Sequence, residues 1–368
     1  MWPDRRILDL LRIDAPILLA PMAGPGFAEL AIAVAEAGGL GSLPTALLGP
    51  DQIRAELARF RAAVRRPINL NFFCHTPPAA DPAREAAWRA RLAPYYRELG
   101  LDPDAPAPAG TRSPFDETLC RLVEDQRPEV VSFHFGLPEP ALVDRVRATG
   151  AVVLSSATTA DEARWLAARG CHAIIAQGAE AGGHRGVFLE ADPVAACAGQ
   201  PGTMALVPQI ADAVDLPVIA AGGIMDGRGV AAALALGASA VQMGSAFLLA
   251  DEAINGAVWQ QAIRDAGPDA TRLTRAFSGR YARGLENRFV REMRSVQEEV
   301  PAYPVQNRLT QAMRASANAA GNPDLMSLWA GQAVKLAQPG AAGELVRRWW
   351  AEAQAAAEAL SARTASKP

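Results

Sequence analysis

Only four cysteines occur in the 368 residues, Cys74, Cys120, Cys171 and Cys197, and none stands in a CxxC or Cys/His spacing. Neither a zinc site nor a disulfide framework is indicated, and the four read as reduced, buried thiols. No run of about twenty apolar residues is present, so nothing reads as a membrane span. The opening stretch, MWPDRRILDLLRID, lacks the apolar core and small-residue cleavage site of a secretory signal. The expectation is a cytoplasmic protein. A formal net charge of −3 supplies no electrostatic reason to bind nucleic acid or an anionic membrane. Arginine greatly outnumbers lysine, which reports on composition more than on function. No metal-ligand cluster, Ser/His/Asp triad or close carboxylate pair is evident.

What is there is a globular composition, half apolar and one fifth charged, on a chain long enough for one large barrel with an insertion or for two ordinary domains. Eight short β-like runs can be marked: ILLAPM (17–22), LGSLPT (40–45), INLNFF (68–73), VVSFHFG (130–136), VVLSSA (152–157), AIIAQ (173–177), PVIAAGG (217–223) and AVQMGS (240–245). Most are followed by a stretch with apolar residues at helical spacing, such as FAELAIAVAEAG, which Gly38 and Gly39 stop, and PDQIRAELARFRAAV, with Asp51 as its N-cap. Eight strand–helix units in about 245 residues predict an α/β fold of the (β/α)8 TIM-barrel type, with a doubly wound open sheet as the alternative. The rhythm breaks over 74–114, rich in Pro and Ala, and again over 253–321, which reads as helices and loops. These two segments are expected to form a smaller, mostly helical substrate-covering layer over the barrel mouth. The barrel then takes 1–73, 115–252 and 322–368. From 322 onward, SLWAGQAVKLA and AGELVRRWWAEAQAAAEAL read as amphipathic helices packed on the outside of the barrel.

The sixth run leads into AIIAQGAEAGGHRG (173–186), around which the chain is organised. Catalytic groups of parallel α/β folds lie where strands end at their carboxyl side. Gln177 stands at that point, Gly178, Gly182 and Gly183 let backbone approach a flat or phosphorylated ligand, and His184 changes charge near neutral pH. After the seventh and eighth runs, Gly222 and Gly223, ahead of a helix that Asp226 caps, and Gln242, Met243, Gly244 and Ser245 read as a phosphate grip of backbone N–H groups and helix N-termini. Asn69 and Asn71 alternate along one strand face, as do Ser132 and His134, and Met22 ends the first run. Amides facing a barrel interior are costly unless they bind something. Amides, histidines and a phosphate grip together suggest a cofactor that carries the chemistry, and FMN fits.

The order PILLAPMAG, INLNFF, SFHFG, QGAEAGGHRG, PVIAAGGI, QMGSAF, TRAFSGRYARGLENRF, AYP and SLWAGQ resembles the nitronate monooxygenases, along almost the whole chain. The resemblance implies non-covalent FMN and oxidation of alkyl nitronates such as propionate 3-nitronate by O2, giving a carbonyl compound and nitrite, a detoxification. By the same resemblance His184 is the active-site histidine, acting as base towards a neutral nitroalkane or holding the nitronate anion. His134 lines the substrate pocket, and Tyr303, from the second layer, closes it. Met22, Asn71, Gln177, Gly182, Gly222, Gly223, Gln242, Met243, Gly244 and Ser245 bind the flavin. Which of Asn69 and Asn71, or of Gly222 and Gly223, makes the closest contact stays open, as does a homodimer. Tyr281 departs from the proline expected in this family. Two alternatives remain: an FMN-dependent NAD(P)H reductase of quinones or enoyl thioesters, and a flavin-free barrel that binds a phosphorylated ligand.

Overall fold

A computed structural model describes residues 4–107, 113–190, 197 and 199–365. All eight runs are strands: β1 (Ile17–Leu19), β2 (Gly41–Pro44), β3 (Ile68–Phe73), β4 (Val130–His134), β5 (Val152–Ala157), β6 (Ala173–Gln177), β8 (Val218–Ala221) and β9 (Ala240–Met243). β7 (Gly183–His184) lies outside the barrel sheet. The eight pair in parallel in the order β1-β9-β8-β6-β5-β4-β3-β2. Closure rests on one bridge between Leu18 and Leu40, where Leu19 N–H donates to Leu40 O at 2.9 Å and Leu40 N–H to Ile17 O at 3.0 Å. A parallel sheet closed on itself has no edge strand to shield, and the architecture is a TIM barrel.

Strand alternation sorts the side chains into two layers. Ile17, Leu19, Leu70, Val131, Val153, Ile174, Val241 and Met243 turn outward and pack with the surrounding helices. Leu18, Leu40, Val130, Leu154, Ile175, Ile219 and Ala240 turn inward, and the short helix Arg6–Leu11 seals the amino end beneath them through Ile7, Leu8 and Leu11. Further up the same inward rows polarity takes over, with Asn71, His134, Ser156, Gln177 and Gln242 at the carboxyl ends. The fold therefore has an apolar floor and a polar mouth.

A second apolar cluster covers that mouth. It joins Trp88 and Leu92 of the helix Pro82–Glu98 to Phe277, Phe289, Leu309 and Met313, and it also takes in Leu248, Leu249 and residues of 325–334 that the sequence pattern had given to the barrel. Those residues alternate with small and polar ones, so their helix-like spacing says nothing about which core they join. Two further elements correct the reading of 253–321 as helices and loops. β10 (Thr271–Thr274) and β11 (Ala282–Leu285) form an antiparallel ribbon, to which β7 adds as third strand. Both strands are only four residues long, and each has an arginine where an apolar residue would mark the strand, with Gly284 weakening β11 further. SLWAGQAVKLA is likewise no α-helix: Trp329 bridges to Gly284, and only Val334–Leu336 makes a 3-10 turn. The second segment does form a long helix, Ala342–Ala365, packed on the helices Ala28–Glu36 and Gly227–Ala235. At Pro50–Ala63 the N-cap is Gly49, not Asp51, because Pro50 takes the first helical position and Gln52 reaches back to the Gly49 N–H at 2.9 Å.

The contact between the last helix and the barrel depends on the missing side chain of Gly227. A Cβ there would lie 2.6 Å from Trp349 O and 2.7 Å from Ala353 N. Gly227→Ala should therefore cost about 1–3 kcal/mol by overpacking and lower Tm by a few degrees in a thermal melt, whereas Gly150→Ala, with open space around it but φ of +90°, should lose stability only through its backbone.

Candidate active site

One cavity of about 1330 Å3, its open mouth included, occupies the carboxyl end of the barrel. Of the residues singled out from the sequence, Met22, Asn71, His134, Gln177, Gly182, His184, Gly222, Gly223, Gln242, Gly244 and Ser245 line it. Met243 does not. Strand alternation turns its side chain into the core between barrel and helices, and its carbonyl accepts from Ala20 N–H at 2.9 Å. Tyr303 does not line the cavity either. Its buried ring stands behind His184, 5.5 Å away between centroids, and 4.8 Å from His75. Asn69 faces the interior one pleat lower and donates to Ser42 Oγ at 3.0 Å, while Asn71 reaches the cavity and donates to Ser132 Oγ at 2.9 Å.

His184 is held from several sides. Gly183 and His184 pair with Arg283 and Ala282 of β11, and Arg185 N–H donates to Tyr281 O at 2.9 Å. The Tyr281 departure leaves this bond intact, since it uses only the carbonyl. The Gln177 carboxamide spans the loop, donating to His184 O at 2.9 Å and accepting from Gly186 N–H at 2.8 Å. His134 completes the brace. Its Nε2 faces His184 O at 3.2 Å, and its Nδ1 faces Ser156 Oγ at 2.6 Å. A carbonyl oxygen only accepts, so Nε2 carries the proton and Nδ1 accepts from Ser156. Burial, with the cations Arg280 and Arg185 nearby, pushes the His134 pKa down to about 3. Both ring nitrogens are spent on structure. His134 is a neutral brace in the wall, which a reading of SFHFG as a pocket histidine does not reveal.

The His184 ring sits in an aromatic cage of Tyr303, Trp329, Phe135 and Phe73, at centroid distances of 5.5, 5.7, 6.1 and 6.2 Å. Its Nε2 lies 2.9 Å from Ser278 Oγ. Neither the cage nor the serine could be read from spacing, because the partners are about 50 to 145 residues away or sit in loops. Around the loop lie two buried arginines, Arg185 and Arg283, and the half-buried Arg280. Arg185 donates to Gly178 O at 2.6 Å and Gln177 O at 2.8 Å, Arg283 to Ala179 O at 2.9 Å, and Arg280 to Val187 O. Burial pushes Arg185 and Arg280 down to about 10, so they stay protonated at neutral pH. Their hydrogen bonds go mostly to carbonyls, with Arg283 also donating to Thr271 Oγ1 at 3.3 Å, so none of these bonds is to a carboxylate.

The glycine grip is at the other end. Gly222 and Gly223 have φ of +116° and +74°, and a Cβ on Gly244 would meet Ala20 Cβ at 3.2 Å and Met22 Sδ at 3.4 Å, closing the cradle. The first turn of the helix Gly227–Ala235 is not part of it. Asp226 does cap this helix, taking the N–H groups of Arg228 and Gly229, and Glu352 takes that of Gly227. The start of the helix Thr203–Ala211 is filled as well, by the Glu180 carboxylate on Thr203 N–H at 2.8 Å. The first turns of these two helices thus have carboxylate partners, and the glycine cradle is made by the loops at 222–225 and 244–245. Among the described residues no cluster of His, Cys, Asp or Glu is arranged to hold a metal, and no helix is long and apolar enough to cross a membrane.

These features define a class: a TIM barrel with a glycine-lined cradle at one end of its mouth and a histidine ringed by aromatic side chains at the other. Comparison with known proteins narrows it. The nitronate monooxygenase family model matches residues 4–352. A nitronate monooxygenase of Pseudomonas aeruginosa is 44% identical over 93% of this chain and 97% of its own length. One of Paraburkholderia phytofirmans is 42% identical over 97% of each. The solved structure of a nitroalkane oxidase from Streptomyces ansochromogenes superposes with a TM-score of 0.89 at 39% identity, covering 96% of this chain and 99% of that one. The chain belongs to the nitronate monooxygenase family.

The neutral His134 makes a pH prediction. Its folded pKa of about 3 lies below the ordinary 6.5, so the unfolded chain binds more protons between these values, and stability falls as pH drops from about 6.5 towards 3. His134→Gln should be less stable than the parent at pH 8 yet lose less Tm between pH 7 and 5. Parallel Tm-versus-pH curves would contradict the buried neutral assignment.

Proposed function

We propose that this protein oxidises alkyl nitronates, such as propionate 3-nitronate, with O2 to a carbonyl compound and nitrite, using non-covalently bound FMN. The residues fit that group. The cradle at Gly222, Gly223, Gly244 and Ser245 would take the phosphate, with Gln242 beside it. Met22, Asn71, Gln177 and Gly182 would bound the ring, where Gly182 is obligatory because a Cβ would lie 2.6 Å from Gly331 N. Met243 would contribute through its backbone only. When bound, FMN supplies the electron acceptance from substrate and the reaction with oxygen.

The chain's own residues do the rest. The buried arginines favour an anionic substrate over a neutral one in the same pocket. The aromatic rings around His184 fix the position of its imidazole at the cavity wall. His184 removes the α-proton of a neutral nitroalkane, or faces the nitronate as a cation. His134 and Gln177 fix the backbone that carries it, so the ring does not drift from its place. Tyr303 acts from behind, by packing. The observation that carries the reading is His184, caged and doubly braced, opposite a glycine cradle in one cavity.

His184→Asn should retain flavin while oxidation of neutral nitroalkanes falls by about 10² to 10⁴, the usual worth of a general base. Oxygen consumption with preformed nitronate should fall less. Equal loss on both substrates would contradict the base role.

A further inference from the structure

We infer that Ser278 is a positioning residue that holds His184 as the Nε2–H tautomer and so makes Nδ1 the basic nitrogen. The inference deepens the base role proposed for His184. Ser278 is 1% exposed and sits in the turn between β10 and β11. Its single hydroxyl proton has a fixed destination. Ser278 Oγ lies 3.0 Å from Arg280 O, an atom that only accepts, so the serine donates there. The same oxygen lies 2.9 Å from His184 Nε2. With the serine proton already committed, that contact is a hydrogen bond only if Nε2 is the donor. Protonation at Nε2 leaves the lone pair of the neutral ring on Nδ1.

The turn is built to keep this geometry. Gly279 has φ of +91°, and a Cβ there would come within 2.6 Å of Tyr303 N. Ser278 and Gly279 N–H both donate to Arg275 O, at 3.2 and 2.8 Å. Arg275 in turn donates to Gln297 O at 3.0 Å. The carbonyl that receives the serine proton belongs to Arg280, whose guanidinium lies 3.9 Å over the Phe135 ring and donates to Val187 O. One turn thus ties the cage, the histidine and the 184–187 loop together.

The arrangement orients and does not relay. Its far end is an amide carbonyl, which takes up no proton at neutral pH. In the proton transfer from a neutral nitroalkane, the α C–H bond breaks, its electron pair forms the C=N bond of the nitronate, and the proton bonds to His184 Nδ1. Neutral substrate and neutral ring become nitronate anion and imidazolium, with charge balanced and no proton passed to Ser278.

The test is 15N NMR of the flavin-loaded enzyme with labelled histidine, His184 being identified by its absence from His184→Asn. At a pH where the ring is neutral, the parent should show Nε2 protonated and Nδ1 bare. Ser278→Ala should show a mixture of tautomers, and Ser278→Thr, which keeps the hydroxyl, the parental one. Activity on a neutral nitroalkane should fall about tenfold in Ser278→Ala, the worth of one hydrogen bond, be rescued in Ser278→Thr, and be spared with preformed nitronate. A parent ring protonated on Nδ1, or a Ser278→Ala ring with an unchanged tautomer, overturns the inference. The parent spectrum alone decides it if Ser278→Ala fails to fold. An enzyme inert to nitroalkanes and nitronates but with the stated tautomers would refute the proposed function and leave the tautomer assignment standing.

Discussion

The site depends on one carboxamide. Gln177 stands at the last position of β6, the place where a barrel strand delivers a side chain into the mouth, and its two ends close on His184 O and Gly186 N. The loop so gathered cannot be stabilised by its own sequence, since it is mostly glycine and alanine and buries little. Its backbone carbonyls would be costly in a buried setting without partners. Arg185 and Arg283 supply them, at Gln177, Gly178 and Ala179. Cations chosen to satisfy carbonyls also leave their charge in the site. The same side chains thus satisfy the loop's carbonyls and set the charge beside it.

The barrel provides the rigid frame and the second layer finishes the site. Inward rows that are apolar near the floor and polar near the mouth place Asn71, His134 and Gln242 without any loop being involved. The histidine itself belongs to a different sheet. It lies in β7, paired to β11, and its ring contacts come from Phe73 of the barrel and from Tyr303 and Trp329 of the cover. The His184 end of the cavity is therefore an interface between two cores. This explains why Gly182 admits no side chain: it lies where the loop after β6 touches the backbone of Ala330 and Gly331.

Strict alternation and turn residues made the eight barrel strands and most of the pocket legible in the sequence, because period-two patterns map directly onto which side faces inward. The same rule, applied one step further, places Met243 outward, a consequence that motif resemblance alone overrides. Other features stayed hidden. β10 and β11 are short and carry arginines in place of an apolar alternation, and the Trp329 segment owes its form to pairing with Gly284. Tyr303 looked like a lid from its neighbours AYP, yet packing sets it behind His184. That the Gly227 amide is taken by Glu352, more than 120 residues away, could likewise not be read from the sequence. Ser278 carried no signal of its own, and only its distances to His184 and Arg280 show what it does.

The proposed pairing of FMN with a nitronate in this cavity is open to direct measurement. An anaerobic visible spectrum of the purified protein tests it most directly, recorded before and after adding an alkyl nitronate and, separately, NADH and NADPH. The account predicts a yellow protein whose absorbance bleaches with the nitronate and is left unchanged by either nicotinamide. Rapid bleaching by a nicotinamide with no response to nitronate would make the protein a reductase, and a colourless protein inert to added FMN would remove the flavin altogether.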